Sequence, residues 1–537
     1  MPKYGIEHEW GWLQLELTDT CNFNCIMCPQ GRGSTQDVHN IFDCEPVLTT
    51  ITYTPFNPMG RAIKNSYVVG DFNFWGINHN GQIWFKDNPK SKMRKIGENK
   101  FQITLKFPPG KHKYQIVEEY ENTPQVWNPY FERVKSDDPK LFEEYGFFVK
   151  EVLPEKKPLS GFMSEELFKK ILHDTVKADV VFNEIALFWN GESLLHPKFD
   201  QLIKYLGNLN KRYHPFKIFG LHTNGSLLSK ERSLLLLQLA DSFDGFSKLS
   251  FSIDAINEPT FNKIRRGGNF VAVTDNIKAF LRLKSKYDVP NLKVILQFII
   301  QKHNKDEAKQ FLDYWGAFLA NLGLDYRIAT NFDYGDIKDG KVVIFFRALD
   351  SSSDARDENS KLHINVIEKL GLPFSGDITP NKEIQQVKNK QKLPILENVD
   401  IPSIGVEDNN QAVIEQIKKT KERFFKNKTK VQDIPKDFNV GKPCYSLFQS
   451  IFVQWNGEAS VCCADNLLTL KIGDFRMNTL EEVWHGEEIT KMRLAHLYNQ
   501  QFQYTQRCLY CPQWNLPSMP KIQIGWYLDF LDKLGKE

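Results

Sequence analysis

From residue 161 onward, short apolar runs alternate with stretches in which apolar residues recur every three to four positions. The runs at 182–189, 216–222, 249–253, 294–300 and 326–329 are of strand length and are read as strands. Between them, 198–212, 229–240, 270–286 and 306–321 carry the helical period. A helix is also expected from about 161, with Ser164 as N-cap and Glu165 and Glu166 in the first turn. The run at 11–18 reads as one more strand, with no helix close behind it. Strands alternating with helices imply a parallel sheet with helical crossovers, six units when 11–18 is counted.

Something of a domain's length separates the first strand from the first helix. From 29 to about 65 the chain reads as irregular. From 62 to 153 the period changes to short β-like runs at 66–69, 82–85, 101–107 and 113–117, divided by turns such as Asn80-Gly81 and Pro108-Pro109-Gly110. Closely spaced short strands argue for a β-sandwich. After 330 the pattern is hard to read. Val342–Phe346 has the character of a further strand, and Ser351–Glu358 that of a loop. The basic run Lys418–Lys430 reads as a solvated helix face, or as a surface for a phosphorylated substrate.

With 537 residues, two to four domains are expected. A net charge of +3 gives no argument for nucleic acid or membrane as a partner, and neither is expected. The amino terminus has no apolar signal-like core, and no apolar run approaches bilayer length. Nine cysteines in such a chain read as metal ligands rather than disulfides. Reduced thiols make the cytoplasm the expected compartment.

The densest chemistry lies just after the first strand, in Cys21-Asn-Phe-Asn-Cys25-Ile-Met-Cys28. Three thiolates in one loop can hold three irons of a [4Fe–4S] cluster and leave the fourth open, although a zinc knuckle is an alternative use of such a loop. The C-x3-C-x2-C loop resembles the cluster motif of the radical S-adenosylmethionine (SAM) enzymes, with Met27 where that family usually has an aromatic residue. The resemblance implies α/β architecture with a partial (β/α)6 barrel and SAM bound at the open iron by its amino and carboxylate groups. In such barrels chemistry sits at the carboxyl ends of the strands.

The family likeness extends to those ends. Trp189-Asn190-Gly191-Glu192 resembles the Gly-Gly-Glu-Pro element that holds the SAM ammonium, with Asn190 in place of the first glycine; an ordinary helix cap is the plainer reading. Thr223-Asn224-Gly225 is a turn common at this place in the family, and Asn224 is taken to face SAM. His222 beside it reads as a satisfied core histidine rather than a catalytic base. Ser252 and Asp254 match a hydroxyl and an acid near the SAM ribose and carboxylate. Arg265 is read either as a partner of the SAM carboxylate or as half of a surface ion pair. Gln297 is a further cofactor-binding candidate. No catalytic acid or base is identified.

The carboxyl-terminal cysteines repeat the theme. Asn456-Gly457 between β-like runs signals a hairpin that would bring Cys444 and Cys462 together, while Cys508-x2-Cys511 supplies a close pair. Four thiolates complete a cluster with no open iron; a zinc site from the same set is the alternative. The pattern resembles the SPASM region of radical SAM enzymes, in its shorter one-cluster version called Twitch. The resemblance, in which the second cysteine follows the glycine after four residues, implies Cys462 rather than Cys463 as the ligand.

The segment Val69-Gly-Asp-Phe-Asn-Phe-Trp75, with the later Trp127-Asn-Pro, resembles the glycogen-binding modules of carbohydrate-binding family 48, which stack tryptophans on glucose rings. Trp75 and Trp127 fall at the matching places, whereas Gln115 stands where a lysine is common. A docking or lid module with the tryptophans in its core is the other reading. The expected domains are therefore 1–61 (first strand and cluster loop), 62–153 (sandwich), 154–330 (rest of the core), 331–440 (bridge), 441–520 (auxiliary cluster domain) and 521–537 (tail). The family implies a flavodoxin- or ferredoxin-type reductant, SAM and two [4Fe–4S] clusters as cofactors, and a small-molecule or glycan substrate. A peptide or protein substrate is the alternative, and a non-catalytic cluster-bearing binding protein a third class.

Overall fold

The structure is a computed structural model. It describes residues 9–28, 47–55, 62–70, 86, 91–97, 100–107, 110–121, 126–127, 148–152, 161–331, 339–349, 353–373, 390–406, 411–426, 443–462, 465, 468, 470–498 and 521–534. The chain forms two compact units, one of them spanning His39–Pro158 and the other holding Met1–Val38 and nearly all of the chain from Leu159 onward.

Strand β1 (Glu9–Leu15) belongs to the larger unit. The smaller unit contains β2 (Val47–Tyr53), β3 (Ile63–Gly70), β4 (Arg94–Gly97), β5 (Lys100–Phe107), β6 (Gly110–Tyr120), β7 (Val126–Trp127) and β8 (Phe148–Val152). Its strands form two antiparallel sheets, β2-β5-β4 and β3-β6-β7, with β8 also paired to β6. Ile51, Tyr53, Phe101 and Ile103 from the first sheet share one core with Val68 and Ile116 from the second, the layering expected of a sandwich. Val47–Tyr53 makes a seven-residue ladder with β5 inside a stretch expected to be irregular. Thr49, Ile51 and Tyr53 are buried and Leu48, Thr50 and Thr52 exposed, as in a strand with one buried face. Trp75 and the strand expected at 82–85 lie outside the described residues. Of Trp127 only the backbone is described, in β7 opposite Glu118.

In the larger unit the strands are β9 (Val181–Ala186), β10 (Phe216–Thr223), β11 (Ser247–Ser252), β12 (Leu292–Ile300), β13 (Tyr326–Ala329), β14 (Val342–Ala348), β15 (Ser450–Val453), β16 (Glu458–Ser460) and β17 (Lys471–Asp474). They join β1 in one sheet of order β13-β14-β12-β11-β10-β9-β1-β15-β16-β17. Pairing is parallel from β13 through β15 and antiparallel beyond. The α/β class and the mostly parallel sheet agree with the sequence. Position six differs: β14 lies beside β12, and β13, the run expected there, is at the edge. β14 matches β12 over seven residues and is buried from Val342 to Phe346, whereas β13 has four residues. A strand buried on both faces suits an interior position in a parallel sheet.

The helices are α1 (Glu165–Lys177), α2 (Phe199–Tyr213), α3 (Lys230–Ala240), α4 (Glu258–Ile264), α5 (Phe270–Lys286), α6 (Ala308–Asn321), α7 (Ser353–Lys369), α8 (Gln411–Lys426), α9 (Ser446–Gln449), α10 (Leu480–Trp484), α11 (Glu487–Leu497) and α12 (Lys521–Lys533). Ser164 caps α1 by accepting from the Leu167 N–H at 3.1 Å, and Ser229, Asn257 and Asn269 do the same for α3, α4 and α5. Helix α7 overrides the loop expected at 351–358. Val366 and Ile367 farther along are buried in the core, and the helix they anchor extends back over the polar residues. Helix α8 buries Val413 and Ile417 and leaves Lys419 outward, the solvated-face arrangement. Among the described residues no helix is long and apolar enough to cross a membrane.

Candidate active site at the strand ends

The cluster loop leaves β1 and is held by backbone pairing to the segment that follows α4. Asn24 N–H donates to Arg266 O at 2.7 Å and Ile26 N–H to Ile264 O at 3.0 Å. Cys25, between those two bonds, is buried and Cys21 and Cys28 are half-buried. Gly267 (φ +83°) and Gly268 let this segment approach; a Cβ on Gly268 would stand 2.6 Å from the Phe23 ring. Burial pushes the Cys21 thiol up to about 12, with Glu192 and the other two thiols adding to the rise. Thiols placed this way ionise when a metal takes the place of their protons. The donor set therefore fits a three-thiolate cluster: three thiols gather on one loop, near enough to influence one another. Among the described residues no group of three His, Cys, Asp or Glu side chains is placed to hold a single metal ion.

The expected SAM residues surround this loop. Gly191 passes against the exit of β1, and Glu192 N–H donates to Thr20 O at 2.9 Å. A Cβ on Gly191 would lie 2.1 Å from Thr18 O. Glu192 is buried, and its carboxylate accepts from Thr223 Oγ1 (2.8 Å), Asn224 N (2.7 Å) and Leu194 N (3.2 Å). It thus joins the ends of β9 and β10 and also caps the turn at Ser193–Leu195, so the plainer cap reading holds as well. Burial raises its carboxyl above the ordinary range, opposed by those bonds. Asn224 is turned to the cluster loop, its Nδ2 donating to Asn22 Oδ1 at 3.0 Å and lying 4.0 Å from Cys21 Sγ. Asn276 fixes the turn by donating to Gly225 O and Ser226 O. Ser252 is half-buried at the end of β11, and Gln297 Nε2 reaches its Oγ at 3.4 Å.

Asp254 and Arg265 pair with each other. Asp254 is fully buried in the left-handed region (φ +59°), with Oδ1 accepting from Ile299 N at 2.7 Å. Its Oδ2 takes Arg265 Nε at 2.9 Å and Arg265 Nη2 in a still shorter contact. Arg265 is buried, so the pair is not a surface ion pair. His222 stacks on Phe188 with ring centroids 3.8 Å apart, and burial, then Arg347 and Lys248, lowers it to about 3, a neutral ring.

Sequence reading missed Glu16, which closes β1. It is buried, and its Oε1 accepts from Asn190 N (3.2 Å) and Asn190 Nδ2 (2.9 Å). Burial, with Asp19 adding, raises it to about 7. Strand periodicity carried the signal: Glu16 falls on the face opposite Leu13, Leu15 and Leu17.

In the carboxyl-terminal segment β15 and β16 form the expected hairpin around Asn456-Gly457, with Gly457 at φ +91°. Ser446 Oγ donates to Val461 O at 2.6 Å, drawing the segment of Cys444 against that of Cys462. Asp465 shapes the turn after Cys462, accepting from Ser460 Oγ at 2.8 Å and Leu470 N at 2.7 Å. Cys463, Cys508 and Cys511 lie outside the described residues. Because β15 pairs with β1 in parallel, this segment continues the core sheet.

Residues 444–512 match the SPASM family, an iron–sulfur cluster-binding domain. Over these residues the chain is similar to that family. No curated protein matches the chain. Among solved structures, BtrN in complex with AdoMet and 2-DOIA is 12% identical, with 66% of this chain and 82% of that one covered at a TM-score of 0.29. SuiB of Streptococcus suis bound to precursor peptide SuiA is 12% identical, covering 67% and 64% at 0.34. Native anSMEcpe with bound AdoMet and Cp18Cys peptide is 12% identical, covering 70% and 89% at 0.33.

Proposed function

We propose that the chain is a radical SAM enzyme with an auxiliary iron–sulfur cluster. One observation carries this reading: the C-x3-C-x2-C loop at the end of β1 is bonded to Asn224 and to Ile264, Arg265 and Arg266, and Thr20 just before it to Glu192. Ser252 stands at the end of β11, and Gln297, within β12, pairs with it. The SPASM match supplies the second half. Cys21, Cys25 and Cys28 hold a [4Fe–4S] cluster with an open iron; Cys444, Cys462, Cys508 and Cys511 hold the auxiliary one in a Twitch-like arrangement. With SAM and a flavodoxin- or ferredoxin-type reductant, this equipment supplies methionine and a 5′-deoxyadenosyl radical that removes a hydrogen atom from substrate. Gly191, with no Cβ to meet Thr18 O and Thr20 O, lets Glu192 approach the start of the loop. Glu192, bonded across two strand ends, presents negative charge to the SAM ammonium. Asn224, Ser252 and Gln297 line the same side with donors and acceptors. The neutral ring of His222 lies one step below them.

Two substrate classes stand level. The sandwich layering of His39–Pro158 and the placing of Trp75 and Trp127 in the sequence support a carbohydrate-type metabolite, with net oxidation as the reaction. The SPASM match supports peptide or protein maturation, the commonest use of such domains, with the smaller unit docking the partner.

The test is anaerobic reconstitution with dithionite and SAM, measuring 5′-deoxyadenosine and iron for wild type and Cys28→Ala. Wild type is expected to form 5′-deoxyadenosine, with about two [4Fe–4S] clusters per chain, and Cys28→Ala none. Fully loaded wild type that forms none would instead mark a cluster-bearing binding protein. Glycan retention that vanishes in Trp75→Ala and Trp127→Ala selects the carbohydrate class; retention of a peptide encoded beside this chain selects the other.

A further inference from the structure

Arg265 lies opposite Cys25. The loop bonds from Asn24 and Ile26 to Arg266 and Ile264 flank both residues, so the backbone register sets the guanidinium against the thiol. Its three nitrogens are divided: Nε and Nη2 go to Asp254 Oδ2, and Nη1 stands 3.7 Å from Cys25 Sγ. Asp254 is held in turn by Ile299 N on its Oδ1 and by Asn304 Nδ2 on its carbonyl. Each of these partners belongs to the protein, so the direction of Nη1 is fixed without any cofactor.

Resting on the radical SAM reading, we propose that Arg265 is a positioning residue that donates to the Cys25 thiolate and raises the reduction potential of the amino-terminal cluster. Hydrogen bonds to cluster sulfurs and nearby positive charge favour the more negative, reduced form. Arginine serves here because its planar fork serves carboxylate and sulfur at once. The SAM carboxylate is then left to groups other than Arg265.

The test is an EPR-monitored redox titration of the reconstituted full chain for wild type, Arg265→Met and Arg265→Lys. The cluster with the open iron is identified by the change in its signal on adding SAM, and the auxiliary cluster, which does not respond, serves as an internal control. In Arg265→Met the reduction equilibrium of the SAM-responsive cluster is expected to fall at least tenfold, a 59 mV shift for a one-electron couple. Arg265→Lys should lie between it and wild type, and the auxiliary cluster should not move. A loaded Arg265→Met that titrates like wild type, or an equal shift of both clusters, would overturn the proposal. If Arg265→Met does not take up iron, Arg265→Lys decides, and a wild-type potential there overturns it too. A wild-type protein with no SAM-responsive signal would defeat the radical SAM reading and this inference with it.

Discussion

Replacing Glu16 by Gln tests how the mouth of the sheet handles a buried acid. Glu16 is 1% exposed and its carboxyl is raised from 4.5 to about 7, chiefly by burial, with Asp19 adding and hydrogen bonds from the Asn190 side chain and the Asn190 and Trp455 backbones opposing. A carboxyl that holds its proton more tightly when folded favours the folded state at low pH. Its contribution is complete below about 4.5 and is lost as pH rises through 7. A rise of that size corresponds to about 3 kcal/mol at 1.36 kcal/mol per unit. Glutamine keeps an oxygen for the two Asn190 bonds and has no proton to lose. Urea denaturation of the reduced protein, followed through the transition of the larger unit, should show the variant gaining on wild type by about 3 kcal/mol between pH 4.5 and pH 8. Using the difference between the two proteins cancels other titrating groups, among them the raised Glu192 and the lowered His222. Parallel curves across that range would refute the reasoning, since Glu16 would then hold its proton equally in both states.

Gly191→Ala should be costly, because the new Cβ would meet Thr18 O at 2.1 Å and Thr20 O at 2.7 Å, both backbone atoms that cannot rotate away. A loss of about 1–3 kcal/mol or more is expected, together with reduced iron uptake by the amino-terminal loop; wild-type denaturation and iron content would contradict this. Glu192→Gln must turn an NH2 group toward one of the N–H donors that the carboxylate now accepts. That should cost about 1–3 kcal/mol and weaken SAM binding in calorimetry, and unchanged affinity with unchanged stability would count against the proposed role.

Much of this architecture could be read from the chain because it is local. The parallel sheet showed itself in period, since each strand buried on both faces is a continuous apolar run and each crossover helix has one apolar stripe. Ser164 and Asn456-Gly457 act within a few residues, so their cap and hairpin were legible. The cysteine loop was legible for the same reason, as three thiols within eight positions must share one site. Position six was not legible, because runs 326–329 and 342–346 are both strand-like and only pairing length and two-sided burial place β14 beside β12.

Residue types and their spacing thus determined the fold class and which side chains gather at the strand ends. Tertiary structure decided what those side chains do to one another. Arg265 could have faced solvent or a ligand. It faces Asp254 and Cys25 because two backbone bonds align positions 240 residues apart, and burial then makes the pairing of its charge obligatory. Glu16 likewise became a proton-binding group only once folding removed it from water beside Asp19. Spacing along a chain carries neither register between distant segments nor the loss of solvent, and those two quantities set the electrostatics of this site.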